Sequence, residues 1–348
     1  MNIDAPGAET LLTFSKNNGK YMFTNYPEQL GADGKNMAFT DNGYYINKAT
    51  FDTGEHHIFY SHNNFLDEAI RYGMLVRNTT KNRNVTVTRL KFECSSNWES
   101  AATIRDFFKN NDGTQRTLAP GEWWVINQPR GSSLGDQEIG PKFDANGHPF
   151  HGIMRIHTTG AIEITCYAYK DTAGYAGNEK VFPRDSKLAT NLVCSSGLGT
   201  GYLLNTAINL EIGSNLTSSK PFVYRTSYTE NTNDIIPIVR VQDGVTHPLR
   251  EAGNYTAQYD FTITIKNSTS STQTVYDFTS SQSGRPCFVS GSDVQANEIG
   301  SHVGKPTWRW FAETIPANTT KTFTYSLANG SYGNAILVNA FSLNPNLV

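Results

Sequence analysis

At 348 residues, the chain is longer than a usual single hydrophobic core, so its length predicts two domains. Only 17% of its residues are charged and its formal net charge is −2, so it lacks the basic excess that nucleic-acid binding usually requires. No apolar stretch reaches about 18 residues, which argues against a membrane span. The start, MNIDAPGAETLLTF, has no basic segment followed by an apolar one, so the residues predict no signal peptide.

Hydrophobic runs rich in Thr, Val, Tyr and Phe alternate with turns rich in Gly, Asn and Ser along the chain. Branched and aromatic side chains pack well on pleated, half-buried surfaces, so this composition indicates strands joined by turns. The best helix candidate is NWESAATIRDFFKNNDGTQR (97–116), where Ile104, Phe107 and Phe108 recur at helical spacing.

One pattern occurs twice. The first copy is LVRNTTKNRNVTVTRLKF (75–92) followed by TLAPGEWWVI (117–126), and the second is FTITIKNSTSSTQTVYDF (261–278) followed by TIPANTTKTFTYSL (314–327). Each copy predicts a hairpin around a turn rich in Asn and Thr, then a proline-led step into an aromatic strand. The repetition indicates that one architectural unit is built twice.

The doubled pattern predicts an all-β fold of two tandem β-sandwich domains, of jelly-roll or immunoglobulin-like type, with at most one or two short helices. The segment 171–200 is rich in Gly and polar residues, and we place the boundary there. The predicted domains are therefore residues 1–185 and 186–348.

Basic residues gather around the first Asn/Thr turn. A solvated strand edge accounts for such a group, because charges prevent edge-to-edge pairing, and an anionic glycan partner is the alternative. The group consists of Arg71, Arg77, Lys81, Arg83, Arg89 and Lys91.

The four cysteines show no CxxC spacing, so a structural zinc site is not indicated. Two fall in each predicted domain, and an exported protein would be expected to pair Cys94 with Cys166 and Cys194 with Cys287. Four buried free thiols are the alternative, and four cysteines allow three pairings.

The long loop PRGSSLGDQEIGPKFDANGHPF (129–150) is a candidate functional segment because structureless loops of this length often carry function. A proline turn could bring His148 and His151 together, with Asp144 or His157 as a third metal ligand. Histidines without a ligand are the alternative, and we predict no metal and no cofactor.

Acidic residues in or beside this loop could supply a carboxylate pair for glycoside cleavage, which needs a separation of about 5–9 Å. Solvent-facing carboxylates are the alternative, and no catalytic motif such as GxSxG or HExxH occurs. The acidic candidates are Glu122, Asp136, Glu138, Asp144 and Glu163.

Aromatic residues are the better binding candidates. Trp123 and Trp124 are adjacent on a predicted strand, so one must face the core and the other outward. Trp308 and Trp310 are two apart and share a face, and Tyr44 follows the same alternation. An outward indole or phenol ring can stack on a sugar ring, whereas an inward ring fills the sandwich core.

The stretch PLREAGNYTAQYDFTITIKNSTSSTQTVYDF, with SQSGRPCF and TIPANTTKTFTYSLANGSYGNAILV after it, resembles a domain of unknown function in secreted proteins of Firmicutes and cyanobacteria. The first half, from LLTFSK through YGMLVRNTTKNRNVTV to HGIMRIHTTGAIEITCYAYK, is similar to the N-terminal part of such proteins. The resemblance implies export and a role at the cell surface. It carries over no catalytic residues.

Three hypotheses follow. The first is an extracellular, non-catalytic β-sandwich protein that acts as a cell-surface or matrix component or binds polysaccharide. The second is a subunit that pairs with copies of itself in an extracellular filament, surface layer or capsid-like shell. The third is a hydrolase that acts on glycans on a double jelly-roll.

Overall fold

A computed structural model describes residues 10, 12–25, 28–31, 37–38, 43–96, 100–128, 140–171, 187–188, 197–226, 238–242, 245–249, 256–281, 286–291, 308–329 and 337–346. Within these ranges the chain is nearly all β, and the predicted class of two tandem β-sandwiches is confirmed. The one helix described, α1 (Ser100–Lys109), lies inside the segment predicted to be helical.

Strands account for most of the chain that the structure describes. In chain order they are β1 (Ser15–Lys16), β2 (Lys20–Thr24), β3 (Gln29–Gly31), β4 (Met37–Ala38), β5 (Gly43–Phe51), β6 (Gly54–Phe65), β7 (Ile70–Asn78), β8 (Val85–Ser95), β9 (Thr114–Leu118), β10 (Trp123–Val125), β11 (Lys142–Phe143), β12 (His148–Thr158), β13 (Ile162–Lys170), β14 (Lys187–Leu188), β15 (Gly197–Thr200), β16 (Leu203–Ile212), β17 (Phe222–Thr226), β18 (Ile238–Gln242), β19 (Val245–Leu249), β20 (Gln258–Asn267), β21 (Gln273–Ser281), β22 (Pro286–Gly291), β23 (Trp308–Ile315), β24 (Thr320–Asn329) and β25 (Leu337–Ser342).

The chain divides into two compact units, neither of which is a single stretch of sequence. The N-terminal unit comprises Asn18–Thr200 and Pro237–Arg250, and the C-terminal unit comprises Met1–Asn17, Gly201–Ile236 and Glu251–Val348. The predicted domain bounds stay a prediction.

Two sheets form the N-terminal unit. The ten-stranded sheet has the order β19-β18-β15-β2-β6-β12-β8-β9, with β3 beside β6 and β4 beside β3. The six-stranded sheet has the order β10-β7-β13-β5-β14, with β11 beside β7. Side chains of both sheets contribute to one hydrophobic core, for example Ile58 and Met154 from the first and Met74 and Ile164 from the second. The two sheets therefore pack face to face.

Two cross-strand positions in this unit require glycine. Tyr60 lies across Gly152 of the neighbouring strand, and a Cβ on Gly152 would stand 2.0 Å from the tyrosine ring. Tyr167 lies across Gly73 in the same way, at 2.1 Å. Each tyrosine ring covers the backbone that the glycine leaves open.

Helix α1 covers the outer face of the ten-stranded sheet. The Arg155 guanidinium lies 5.8 Å from the ring centroid of Phe107, and the His57 ring meets the same phenyl ring edge-on. The Lys91 ammonium donates a hydrogen bond of 2.7 Å to the Phe108 carbonyl in the last turn, where a cation complements the helix dipole. The helix is therefore fixed by aromatic packing and by a cation near its C-terminus.

The C-terminal unit repeats the two-layer plan with a five-stranded sheet, β1-β16-β20-β24-β22, and a four-stranded sheet, β17-β25-β21-β23. Burial alternates along β20, as expected for a strand with one face in the core. Tyr224 of the four-stranded sheet contacts Phe261 of the other sheet at 5.6 Å between ring centroids, and its hydroxyl hydrogen bonds with that of Tyr325. The faces of the two sheets meet at these rings.

The predicted hairpins are wrong in one respect. β7 belongs to the six-stranded sheet and β8 to the ten-stranded sheet, and likewise β20 and β21 lie in different sheets of the C-terminal unit. The Asn/Thr turns are therefore β-arches that carry the chain from one sheet to the other. An arch and a hairpin share the same alternating pattern and the same turn residues, so the sequence does not separate them.

Candidate functional site

Trp123 and Trp124 take opposite faces of β10, as predicted. Trp124 is 5% exposed and belongs to the core, whereas Trp123 is half-buried on the outer face of the six-stranded sheet. Alternation of side chains along a strand dictates this division. Within the described residues, the N-terminal unit thus presents the Trp123 indole at its surface.

Charged groups line the row of residues across the sheet from Trp123. Arg77 is its partner on β7, and the guanidinium carbon stands 5.1 Å from the centroid of the Trp123 ring, a cation–π distance. Glu163 on β13 is the next residue across from Arg77. The Glu163 carboxylate pairs with the Lys48 ammonium at 2.9 Å. We call Trp123, Arg77, Glu163 and Lys48 the Trp123 row.

An apolar cluster lies beside the Trp123 row on the same face of the sheet. Leu75, Val125, Tyr167 and Tyr169 are fully buried on this face, and Trp123 packs against them. The two tyrosine rings stack at 5.7 Å between centroids. Packing therefore holds the indole in place while part of its surface stays exposed. Positively and negatively charged side chains that can form hydrogen bonds lie beside it. Such a combination suits a polar ligand that also has an apolar face.

The first Asn/Thr turn, residues 79–84, adjoins this row, and we call it the first arch. Lys81 and Arg83 are exposed in it, and Arg77 is exposed just before it. None of these three cations makes an ion pair with an acid in the part of the chain that the structure describes. Arg116 lies nearby on β9, with its guanidinium 5.8 Å from the Trp124 ring.

The other members of the predicted basic group are engaged elsewhere. Arg71 pairs with Asp171 at 2.6 Å, and Lys91 bonds to the end of α1. Arg89 is buried at 4% exposure and pairs with Asp112 at 2.6 Å. Burial works to raise the pKa of Asp112, but Thr114 and Arg89 together hold it below its usual value. Fewer basic side chains of the predicted group are therefore exposed and free of ion pairs than the sequence indicated.

Three predicted aromatic residues have described backbones only. Tyr44 lies in β5, opposite Ala168 of β13, and Trp308 and Trp310 lie in β23. The structure does not describe where these three side chains point. Their roles in binding stay predictions.

The histidines do not meet as the sequence suggested. GHPFHG continues as an extended strand, β12, so His148 and His151 point to opposite faces. His148 is exposed, and His151 is buried with its Nδ1 2.7 Å from the Ser61 hydroxyl. Within the described residues, no group of three or more His, Cys, Asp and Glu side chains is placed to hold a metal ion.

The predicted Cys94–Cys166 disulfide is wrong, because both thiols are free. Cys94 lies on the ten-stranded sheet and Cys166 on the six-stranded sheet. Two sheets of a sandwich pack about 10 Å apart. The rings of Tyr60 and Tyr72 stack at 4.5 Å in the core between the sheets. Burial raises the pKa of each thiol to about 12.

The second predicted disulfide, Cys194–Cys287, involves side chains outside the part of the chain that the structure describes. Cys194 lies outside the described residues, and only the backbone of Cys287 is described, in β22. The pairing of Cys194 with Cys287 stays a prediction.

Of the acidic candidates that the structure describes, Asp144 lies apart from Glu122 and Glu163. Asp144 follows β11, which pairs with the start of β7, whereas Glu122 and Glu163 lie beside its end. Seven residues of strand separate these places, which is about 23 Å at ~3.3 Å per residue. That exceeds the separation that glycoside hydrolysis uses. Asp136 and Glu138 lie outside the described residues.

Sequence reasoning missed Lys48 and the placement of Glu163 beside Arg77. Both depend on strand register across β5, β13 and β7, and these strands are far apart in the chain. The sequence offered only a weak indication, namely that each is a charged residue on a strand whose alternate positions are apolar.

No helix among the described residues is long and apolar enough to cross a bilayer. No protein-family model and no curated protein matches the chain. Among solved structures, it is similar to the tandem CBM22-1–CBM22-2 domain of Xyn10C from Paenibacillus barcinonensis, at 8% identity and a TM-score of 0.18, over 97% of this chain and 98% of that one. It is also similar to hazelnut (Corylus avellana) vicilin, at 9% identity and a TM-score of 0.11, over 84% and 74%.

Proposed function

We propose that the protein is a non-catalytic β-sandwich protein that binds polysaccharide through the Trp123 row. The observation that carries the proposal is a half-buried indole packed against an apolar cluster, with Arg77, Glu163 and Lys48 beside it. An indole offers a flat apolar surface to the C–H face of a sugar ring. The neighbouring charged groups can donate hydrogen bonds to sugar hydroxyls and accept them.

An extracellular or cell-surface location belongs to the same proposal. Its support is the resemblance of the sequence to secreted bacterial proteins. Polysaccharides of envelopes and matrices are the ligands that such a location offers.

Pull-down on insoluble polysaccharides, neutral and acidic, tests the proposal. We expect Trp123→Ala to weaken binding about tenfold or more, because truncating an aromatic anchor costs on the order of 2 kcal/mol. Trp123→Phe is the matched control, since it keeps an aromatic ring against the same apolar cluster and should retain most of the binding. Equal binding by the alanine variant and the native protein, or no binding to any polysaccharide, would overturn the proposal.

A further inference from the structure

The first arch is held by one buried side chain. The Asn78 amide nitrogen donates to the carbonyls of Arg83 and Leu118, each at 2.9 Å, and its amide oxygen accepts from the Thr80 backbone N–H at 2.8 Å. The Asn78 backbone N–H donates to the Glu122 carbonyl at 3.1 Å. This one residue ties the arch to the proline-led turn that precedes Trp123.

The second Asn/Thr turn, residues 268–272, has the same construction, and we call it the second arch. The Asn267 amide nitrogen donates to the carbonyls of Ser271, at 2.9 Å, and Ile315, at 3.0 Å. Its oxygen accepts from the Thr269 N–H at 3.0 Å, and its backbone N–H donates to the Thr319 carbonyl at 2.8 Å. The two arches are therefore structural equivalents.

Their surface chemistry differs. The first arch reads TTKNRN and the second STSST, so the first carries Lys81 and Arg83 where the second carries only hydroxyl groups. Because the second arch folds around the same asparagine without any charge, the fold of the arch does not require the cations. Their presence in the first arch calls for another reason.

The acids nearest to these cations are engaged. The Glu122 carboxylate accepts a hydrogen bond of 2.8 Å from the Ala119 N–H, and the Glu163 carboxylate pairs with Lys48. Lys81 and Arg83 remain exposed beside the Trp123 row, in a chain whose formal net charge is only −2. A local positive surface on a nearly neutral protein attracts a polyanion.

We propose that the first arch makes the polysaccharide site selective for anionic chains, with Lys81, Arg83 and Arg77 facing carboxylate or sulfate groups while Trp123 contacts the sugar rings. This inference rests on the proposed function and names its ligand class. A polysaccharide fits better than a nucleic acid because the cations form one short patch. A phosphate backbone usually requires several more contacts and a basic excess.

Affinity electrophoresis of the full chain tests this inference. The gels contain polygalacturonate, dextran sulfate or neutral dextran, so that carboxylate and sulfate are distinguished. The variant Lys81→Ser/Arg83→Ser gives the first arch the chemistry of the second. The matched control, Lys109→Ser/Lys220→Ser, removes the same charge from two exposed sites elsewhere. Thermal melting of each variant confirms that it is folded.

We expect retardation by at least one anionic polymer and little by neutral dextran. The arch variant should bind the anionic polymer about three- to tenfold more weakly, as two exposed charge contacts imply, while the control variant binds like the native protein. Raising ionic strength from about 0.05 M to about 0.5 M should release the native protein, because exposed charges are then screened.

Equal binding by the arch variant and the native protein would overturn the inference. If the native protein bound neutral chains as well as anionic ones and Trp123→Ala abolished both, the inference would fail while the proposed function stood. If the native protein bound none of the polymers and Trp123→Ala behaved like the native protein, both the inference and the proposed function would fail. Single-stranded DNA bound more tightly than either anionic polysaccharide would also contradict the inference.

Discussion

At the scale of single residues, Asp277 is an unusual group among the residues that the structure describes. It lies on β21 in the C-terminal unit at 2% exposure, and its Oδ1 has no hydrogen-bond partner among the described residues. Burial raises the pKa of this carboxyl well above its ordinary value of 3.8. The carboxyl in turn contributes to the raised pKa values of Tyr224 and Tyr325. The folded state therefore favours protonated Asp277.

This predicts a stability that depends on pH in a definite direction. Above pH 3.8 the unfolded chain loses the Asp277 proton while the folded state keeps it, so stability falls as pH rises towards the folded-state pKa. Within that window one proton gives a slope of about 1.4 kcal/mol per pH unit. We expect Asp277→Asn to remove this slope and to stabilise the C-terminal unit at neutral pH.

Urea unfolding of the native protein and the variant across pH 4 to 7 measures the effect: the native protein should lose stability more steeply with rising pH than the variant does. Asp260→Asn is the control, because Asp260 is a partly exposed carboxylate of the same unit that bonds to Ser326 and Gln258. An identical pH slope in the Asp277→Asn variant would refute the assignment.

At the scale of elements, a tyrosine ring laid over a glycine joins β6 to β12. We expect Gly152→Ala to destabilise the N-terminal unit by about 1–3 kcal/mol, because the added methyl group overlaps the Tyr60 ring. The Tyr60→Val background offers a control, since removing the ring should make the same alanine substitution cost much less. Chemical denaturation of the four proteins gives the coupling energy. An equal cost in both backgrounds would show that the ring is not the obstacle.

At the scale of the whole molecule, the two equivalent asparagines allow the units to be probed separately. We expect Asn78→Ala to lower the stability of the N-terminal unit by about 2 kcal/mol or more, because the carbonyls of Arg83 in the arch and Leu118 in β9 lose their donor. Asn267→Ala should act in the same way on the C-terminal unit only. Differential scanning calorimetry should show each variant shifting a different transition. One transition shifted equally by both variants would argue against two independent domains.

Much of the architecture followed from residue patterns with a local cause. Alternating Thr, Val, Tyr and Phe predicted the strands, the spacing of Ile104 and Phe107 predicted α1, and the repeated Asn/Thr turn predicted two similar units. The opposite directions of Trp123 and Trp124 followed from the geometry of any strand. These properties depend on neighbours in the chain, so the sequence alone determined them.

Contacts between distant segments were decided only by the tertiary structure. The arches were predicted as hairpins, but β7 pairs with β10, β11 and β13 and not with β8, and β13 lies more than eighty residues away in the chain. The disulfide prediction for Cys94 and Cys166 failed because the depth of the core, with its tyrosine rings, separates the two sheets. The Trp123 row depends on register across four strands, and one shifted residue would turn every side chain of a strand to the other face. Pairing and register are long-range choices, and no local pattern encodes them.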